Sequence, residues 1–368
     1  MKLNNYYIFR VDANSRIGFG HLTRCLALAK EINNQGGKIV FASCYPKVVR
    51  KIVNNLNFDI INLKNCTPFS MQELDFLVSS LNKMKFPKAF IVDSYEVSPE
   101  YLKEIRKEFP EILIIAIDDL GGKVYPVNIL INGNLYAEKL DYVEQKKLGT
   151  KLLLGPQFLI LREEFQKCLP RKIRNQVEDI LITFGGSNDA GLIERVLQIL
   201  ANMNLAKVKF HLVSGCGFSK RVKEEFMNYL NVIFYSTLSG REMRDLMKKA
   251  DLAISAGGST LYELAKCGVP TIAIPIADNQ IMLTEEMEKC GIIDIVKFDD
   301  NFPINLSEKI LLHLSSKEKR VKMQENALEK INVCDTGLIV EEIFKQKVQI
   351  EPYEAGKAES QGEEELNV

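Results

Sequence analysis

The chain has 368 residues, enough for about two domains that each bury their own core. Lys plus Arg equals Asp plus Glu at 48 each, so no overall field draws it to nucleic acid or an anionic membrane, and any anion site must be local. No apolar run approaches the roughly 18 residues of a membrane span, and MKLNNYY lacks the apolar core of a signal peptide, so the expectation is a soluble, cytoplasmic protein with neither a membrane nor a nucleic-acid partner.

Eight cysteines are scattered without a C-x-x-C pair, and only three histidines are present. Reduced thiols fit this pattern; a zinc site or multi-histidine metal site does not.

In chain order, Tyr6 to Val11 (YYIFRV) is a short apolar strand, and Leu22, Cys25, Leu26, Ala29 and Ile32 then fall at helical spacing until Gly36-Gly37 stops the helix. Between them lies Arg10-Val-Asp-Ala-Asn-Ser-Arg-Ile-Gly-Phe-Gly-His-Leu-Thr-Arg24. Gly18 and Gly20 let the backbone approach a ligand closely, and His21 stands at a helix start, which disfavours a charged imidazole and leaves a ring able to accept a proton. A plain glycine turn capped by a histidine fits the same spacing. It is not the nicotinamide fingerprint, because Thr23 stands where the third glycine of G-x-G-x-x-G belongs and the next strand ends without a ribose-binding acid. Hydride transfer is disfavoured.

Strands follow at Lys38 to Ser43, Phe58 to Leu63, Lys88 to Val92, Ile112 to Ile117 and Val127 to Ile131, with helices between them, such as Ser70 to Lys85 and Ser98 to Phe109. These runs are continuously apolar, as parallel strands covered on both faces require, and they predict a doubly wound α/β domain over residues 1–156. Polar clusters stand at three strand ends, where such folds bind ligands: Asp93-Ser94-Tyr95, Asp118-Asp119 and Asn132-Gly133-Asn134. Each could equally be turn chemistry.

The pattern breaks over 157–176, read as a linker with a short helix from Phe158 to Cys168. From Glu178 the α/β rhythm restarts, giving a second Rossmann-like domain over 177–347. Its first strand, Ile180 to Phe184, leads into Gly185-Gly186-Ser187-Asn188-Asp189 and a helix from Ala190 to Asn202. Val208 to Ser214, helix Lys220 to Tyr229, Val232 to Tyr235, helix Arg241 to Ala250 and Leu252 to Ser255 come next.

After Ser255, Gly257-Gly258 make an open turn and Ser259 or Thr260 caps a helix that Gly268 and Pro270 end. This is a diphosphate cradle of bare N–H groups and hydroxyls, with Glu263 one turn in, where a carboxylate can accept from ribose hydroxyls. Gly186 and Ser187 could hold the phosphates from a second side. A capped helix after a glycine turn is the plainer alternative. Asp278-Asn279-Gln280 ends a later strand, and amides there suit sugar hydroxyl or acetamido groups. Residues 348–368 form an acidic tail expected to be disordered. No internal repeat occurs beyond the two α/β halves.

Two α/β domains with a cradle in the second and a Gly-x-Gly-His turn in the first resemble the two-domain glycosyltransferase-B architecture. More closely, the motifs resemble the UDP-sugar hydrolases of pseudaminic acid biosynthesis (UDP-2,4-diacetamido-2,4,6-trideoxy-β-L-altropyranose hydrolases) and their spore-coat polysaccharide relatives. The matching stretches are RVDANSRIGFGHLTR, VDSYEV, IDDL, GPQFLILREEF, LITFGGSND and ADLAISAGGSTLYELAKCGVPTIAIPIADNQ. They run to residue 280, and the first and last are the specific ones.

The resemblance implies hydrolysis at the anomeric carbon with inversion, with His21 as the base. By motif it implies that Arg10, Asp12, Gly18, Gly20, Tyr95, Asn279 and Gln280 line the sugar side. Gly186, Ser187, Gly257, Gly258, Ser259, Thr260 and Glu263 would then hold the nucleotide. No cofactor is expected. No Asp-x-Asp occurs to hold a divalent metal, so metal independence is expected too. The alternative is a UDP-sugar-dependent glycosyltransferase, since one base serves water or an acceptor hydroxyl; a hydrolysing 2-epimerase and a non-catalytic nucleotide-sugar binder complete the set.

Overall fold

The computed structural model describes the chain except for residues 1–4, 15, 54–55, 85–86, 186–189, 204, 215–223, 227–230, 237 and 347–368. Two parallel sheets organise it. The first contains β1 (Tyr6–Val11), β2 (Lys38–Ser43), β3 (Asp59–Asn62), β4 (Pro87–Asp93), β5 (Leu113–Ile117), β6 (Ile129–Asn132) and β7 (Lys151–Leu154), in the order β3-β2-β1-β4-β5-β6-β7. The second contains β8 (Asp179–Thr183), β9 (Lys209–Val213), β10 (Val232–Tyr235), β11 (Leu252–Ala256), β12 (Thr271–Ile274) and β13 (Ile293–Ile295), in the order β10-β9-β8-β11-β12-β13.

The strands carry Val, Ile, Leu and Phe on both faces because helices cover both faces, which is why periodicity alone reads them correctly. In β1, Tyr7, Phe9 and Val11 face the core layer under helix α1 (Gly20–Asn34), while Ile8 joins the opposite layer. Polar caps fix where crossover helices begin. Ser70 accepts from the Glu73 N–H at 3.2 Å, and Ser98 accepts from Tyr101 N–H at 3.2 Å with Pro99 at the first helical position.

Strand order reverses direction at one point in each sheet, between β1 and β4 in the first and between β8 and β11 in the second. Side chains and loops beyond those paired strand ends face a crevice that no crossover fills, the position where open α/β sheets bind ligands. The His21 turn follows β1 and Asp93 ends β4. The Gly257-Gly258 turn follows β11.

Two features depart from the sequence expectation. The segment around Phe158 to Cys168 is a 3-10 turn (Pro156–Phe158), an extended stretch and one helical turn (Glu163–Gln166). Leu159, Leu161 and Phe165 bury themselves in a core layer of the second domain, and those contacts override the helical pattern. The last described helix, Thr336–Lys345, lies within the span assigned to the second domain yet packs on the first. Ile339, Val340 and Ile343 fill the layer beside α1, and Phe344 stacks on Tyr7 at 5.7 Å. Among the described residues, no helix is long and apolar enough to cross a membrane.

Candidate active site

The two sheet crevices open onto one cleft of about 620 Å³. Its first-domain wall includes His21, Arg24, Tyr95 and Asp119; its second-domain wall includes Gly257 to Thr260, Glu263 and Asn279. The walls are close: a Cβ added at Gly20 would lie 3.8 Å from Ser259 Oγ.

On the first wall, Asn14 builds the turn by accepting the Arg16 and Ile17 N–H groups at 2.8 Å each, and Gly18 closes it at φ +85°. That delivers His21 to the first turn of α1. Its Nδ1 lies 2.6 Å from Asp93 Oδ1 and 3.2 Å from an Arg24 guanidinium nitrogen. A carboxylate and a guanidinium cannot both use one ring nitrogen. Asp93 has no proton to give, so Nδ1–H donates to it and the acceptor lone pair resides on Nε2.

Burial alone would push the Asp93 carboxyl up, but the Arg24 guanidinium and the His21 ring outweigh it and hold it well below the usual carboxylate range. Arg24 donates to Asp93 through Nε and Nη2 at 2.6 Å each and to Asp119 Oδ1 through Nη1 at 2.8 Å. Burial opposes charge on Arg24, and the two carboxylates reverse that and raise it further. Tyr95 donates to Asp119 Oδ2 at 2.9 Å and sets its ring edge-on to His21, with centroids 4.7 Å apart. From the second domain, the Asn279 amide reaches the Tyr95 hydroxyl.

On the second wall, the N–H groups of Gly258, Ser259 and Thr260 find no acceptor among the described residues, and the Ser259 hydroxyl does not cap its own helix (Thr260–Lys266). Gly257 is sterically required: a Cβ there would meet Thr284 Cγ2 at 2.7 Å and Gln280 Cβ at 2.9 Å. Its N–H donates to Gln280 Oε1 at 3.0 Å, which also accepts Ile276 N–H at 3.0 Å.

Several expected site residues do other work. Arg10 is wholly buried and does not reach the cleft. It points to the face of the sheet opposite α1, where it makes a forked pair with Glu73 at 2.7 and 2.8 Å and an ion pair with Asp12 at 2.8 Å. Asp12 ties down the end of β2 by accepting from Ser43 Oγ and Cys44 N–H. Strand alternation sends residues 9 and 11 one way and Arg10 the other. Gln280 Oε1 is engaged by the glycine turn, so that side chain braces the cradle.

Glu263 lines the cleft but binds Arg162 with both oxygens at 2.6 and 2.7 Å. Burial raises its pKa, partly offset by Arg162. Gly186 and Ser187 lie outside the described residues, as does most of the expected helix Lys220 to Tyr229.

The strand-end clusters divide. Asp93, Tyr95, Asp119 and Asn134 reach the site, whereas Asp118 accepts from the Leu120 and Gly121 N–H groups and the Tyr142 hydroxyl in a turn. Arg24 was missed, although its i+3 spacing from His21 places both on one helix face. Arg162 and Tyr262 carry no local signal, because their partners lie across the domain boundary.

This architecture is a glycosyltransferase-B-type fold. Residues 180–335 match the model of the glycosyltransferase family 28 C-terminal domain. The solved structure of Acinetobacter baumannii MurG superposes with a TM-score of 0.68 over 92% of this chain and 99% of that one, at 16% identity.

The chain is similar in sequence to proteins named UDP-2,4-diacetamido-2,4,6-trideoxy-β-L-altropyranose hydrolases. It is 28% identical to the Campylobacter jejuni protein of that name over 77% of this chain and 96% of that one. It is 31% identical over 55% of its length to the Helicobacter pylori pseudaminic acid cytidylyltransferase and UDP-2,4-diacetamido-2,4,6-trideoxy-β-L-altropyranose hydrolase, of which it spans 36%. An uncharacterized Methanocaldococcus jannaschii protein is 26% identical over 72% of this chain and 54% of its own.

Proposed function

We propose that this chain hydrolyses a UDP-linked 6-deoxy diacetamido hexose, UDP-2,4-diacetamido-2,4,6-trideoxy-β-L-altropyranose, to UDP and the free sugar in pseudaminic acid biosynthesis. The observation that carries the reading is the His21–Asp93 pair. It presents an imidazole acceptor across a cleft from a turn of unpaired N–H groups, and the cleft is large enough for a nucleotide sugar.

The chemistry follows from that arrangement. Nε2 of His21 takes a proton from water as its oxygen bonds to the anomeric carbon. The bond from that carbon to the β-phosphate oxygen breaks, and its electron pair leaves with UDP. Attack opposite the leaving group inverts the anomeric centre. Asp93 stabilises the imidazolium that forms, and Arg24 keeps Asp93 ionised throughout. The departing diphosphate gains charge, which the N–H groups of Gly258, Ser259 and Thr260 and the Ser259 hydroxyl receive. Gly186 and Ser187 join them in this reading. Tyr95 and Asn279 contact the sugar, and Glu263, oriented by Arg162, accepts from the ribose. The proposed step uses only these side chains and backbone groups.

A second reading, a UDP-sugar-dependent glycosyltransferase of surface polysaccharide synthesis, is favoured by the family 28 match, with an acceptor hydroxyl replacing water. Incubating the enzyme with a panel of UDP-linked amino sugars in buffer alone, with and without EDTA, and following anomeric signals by NMR separates the two. UDP and a free sugar of inverted configuration, unaffected by EDTA, are expected. UDP release only on adding an acceptor would overturn the hydrolase, and activity abolished by EDTA and restored by magnesium would overturn metal independence.

A further inference from the structure

Tyr262 is the second domain's one side chain whose hydroxyl is built into the first domain's polar floor among the described residues. Its ring is 1% exposed and packed in an apolar core layer, so a phenylalanine would fill the space equally well. The hydroxyl accepts the Leu135 N–H at 3.0 Å and donates to Asn134 Oδ1 at 3.1 Å. Asn134 uses its Nδ2 to donate to Asp119 Oδ1 at 2.9 Å.

Asp119 in turn receives Arg24 and Tyr95, the two groups that fix Asp93 and the His21 ring. An unbroken series of polar contacts therefore runs from the helix Thr260–Lys266, which begins at the glycine turn, to Nδ1 of His21. On the other side of Tyr262, Glu263 pins the same helix to Arg162, so the helix cannot shift without straining both attachments.

We propose that Tyr262 is a positioning residue that, through Asn134 and Asp119, couples the seating of this second-domain helix to the orientation of the His21 ring. Removing the hydroxyl leaves Asn134 Oδ1 without its donor, so the amide is held only through Nδ2, which donates to Asp119 Oδ1 and to Asn132 Oδ1 at 2.8 Å. One of the two side chains that hold Asp119 against Arg24, Asn134 beside Tyr95, is then less firmly placed. The consequence for turnover rests on His21 being the base; the consequence for the ring does not.

The test uses full-length protein labelled in histidine nitrogen, with the ring signals of His21 assigned through His21→Asn. In Tyr262→Phe the ligand-free His21 signals should shift or broaden, while those of His211 and His313, which sit elsewhere in the second domain, stay in place. Asn134→Ala breaks the same series one bond further on and keeps the Tyr262 ring in its core, so it should give the same selective change even if Tyr262→Phe folds poorly. With a UDP-sugar substrate, Tyr262→Phe should lower kcat about tenfold with KM within about threefold, and the double variant should lose no more than Asn134→Ala alone.

Unchanged His21 signals in both variants, or equal disturbance of all three histidines, would overturn the coupling whatever reaction the enzyme performs. A wild type that turns over no UDP-sugar would instead sink the functional reading and leave the ring result standing.

Discussion

The two sheet crevices sit at the same place in the same topology and present opposite kinds of chemistry. The first is filled with titratable side chains locked to one another: His21, Asp93, Arg24, Asp119 and Tyr95 lie within one hydrogen-bonded cluster. The second presents backbone, an open glycine turn braced from behind by Gln280. A proton transfer needs a group of defined tautomer, which side-chain partners must specify. An anion needs only several N–H groups aimed at one point, which a turn supplies by its shape.

If that division of labour holds, the two crevices should fail differently. His21→Asn should cut kcat by about a thousandfold, within the range for losing a general base, while UDP affinity measured by calorimetry stays within about threefold. A variant that still turned over would remove the first crevice from the chemistry.

Arg10→Met breaks a buried ion pair beneath the first crevice without touching the cleft. Leaving Glu73 and Asp12 uncompensated should cost about 3–5 kcal/mol in denaturant unfolding, with KM unchanged in the fraction that remains folded. A raised KM at full stability would restore Arg10 to the substrate site.

Gly257→Ala should do the reverse of His21→Asn. Its methyl group collides with Thr284 and Gln280, so the turn must move, at a cost of about 1–3 kcal/mol, and UDP binding should weaken by about tenfold or more. Binding at wild-type strength would mean the turn is not the nucleotide cradle.

The smallest effect separates the domains by pH. In the second domain, burial lowers the pKa values of His211 and His313, with Asp179 and Asp294 offsetting only part of it. A base with a folded pKa below its unfolded value of about 6.5 binds protons preferentially in the unfolded state, so stability falls as pH drops below that value. Asp93, Asp179 and Asp294 are held below the carboxylate range, burial being outweighed by Arg24 and His21 at Asp93, by hydrogen bonds from His211 and Arg174 at Asp179, and by those from His313, Lys319 and Lys309 at Asp294; their contribution is lost only as pH falls from about 4. Hydrogen exchange between pH 7 and 5 should therefore show the second domain loosening first. Equal loosening of both domains would contradict this.

The sequence made the fold legible because buried parallel strands are written as unbroken apolar runs, and β1, β2 and β10 match their expected ends residue for residue. His21 and the glycine turn were legible because they depend on neighbours in sequence. Arg10 was misplaced since a motif residue beside the site looks the same as one in it until strand alternation is resolved in three dimensions. Gln280 lines the cleft and also braces the turn through Oε1, a second role that the sequence does not separate from facing a ligand. Arg162 and Tyr262 were illegible, as their partners are 101 and 128 residues away. The return of Thr336–Lys345 to the first domain was hidden too, because an amphipathic helix does not say which sheet it covers.

A structure of His21→Asn bound to the UDP-linked diacetamido sugar tests most directly whether the two crevices share one substrate. The diphosphate should sit on the N–H groups of Gly258 to Thr260, with a water about 3–3.5 Å from the anomeric carbon on the side facing residue 21. A diphosphate bound away from that turn, or an anomeric carbon that residue 21 cannot reach through one water, would contradict the shared site.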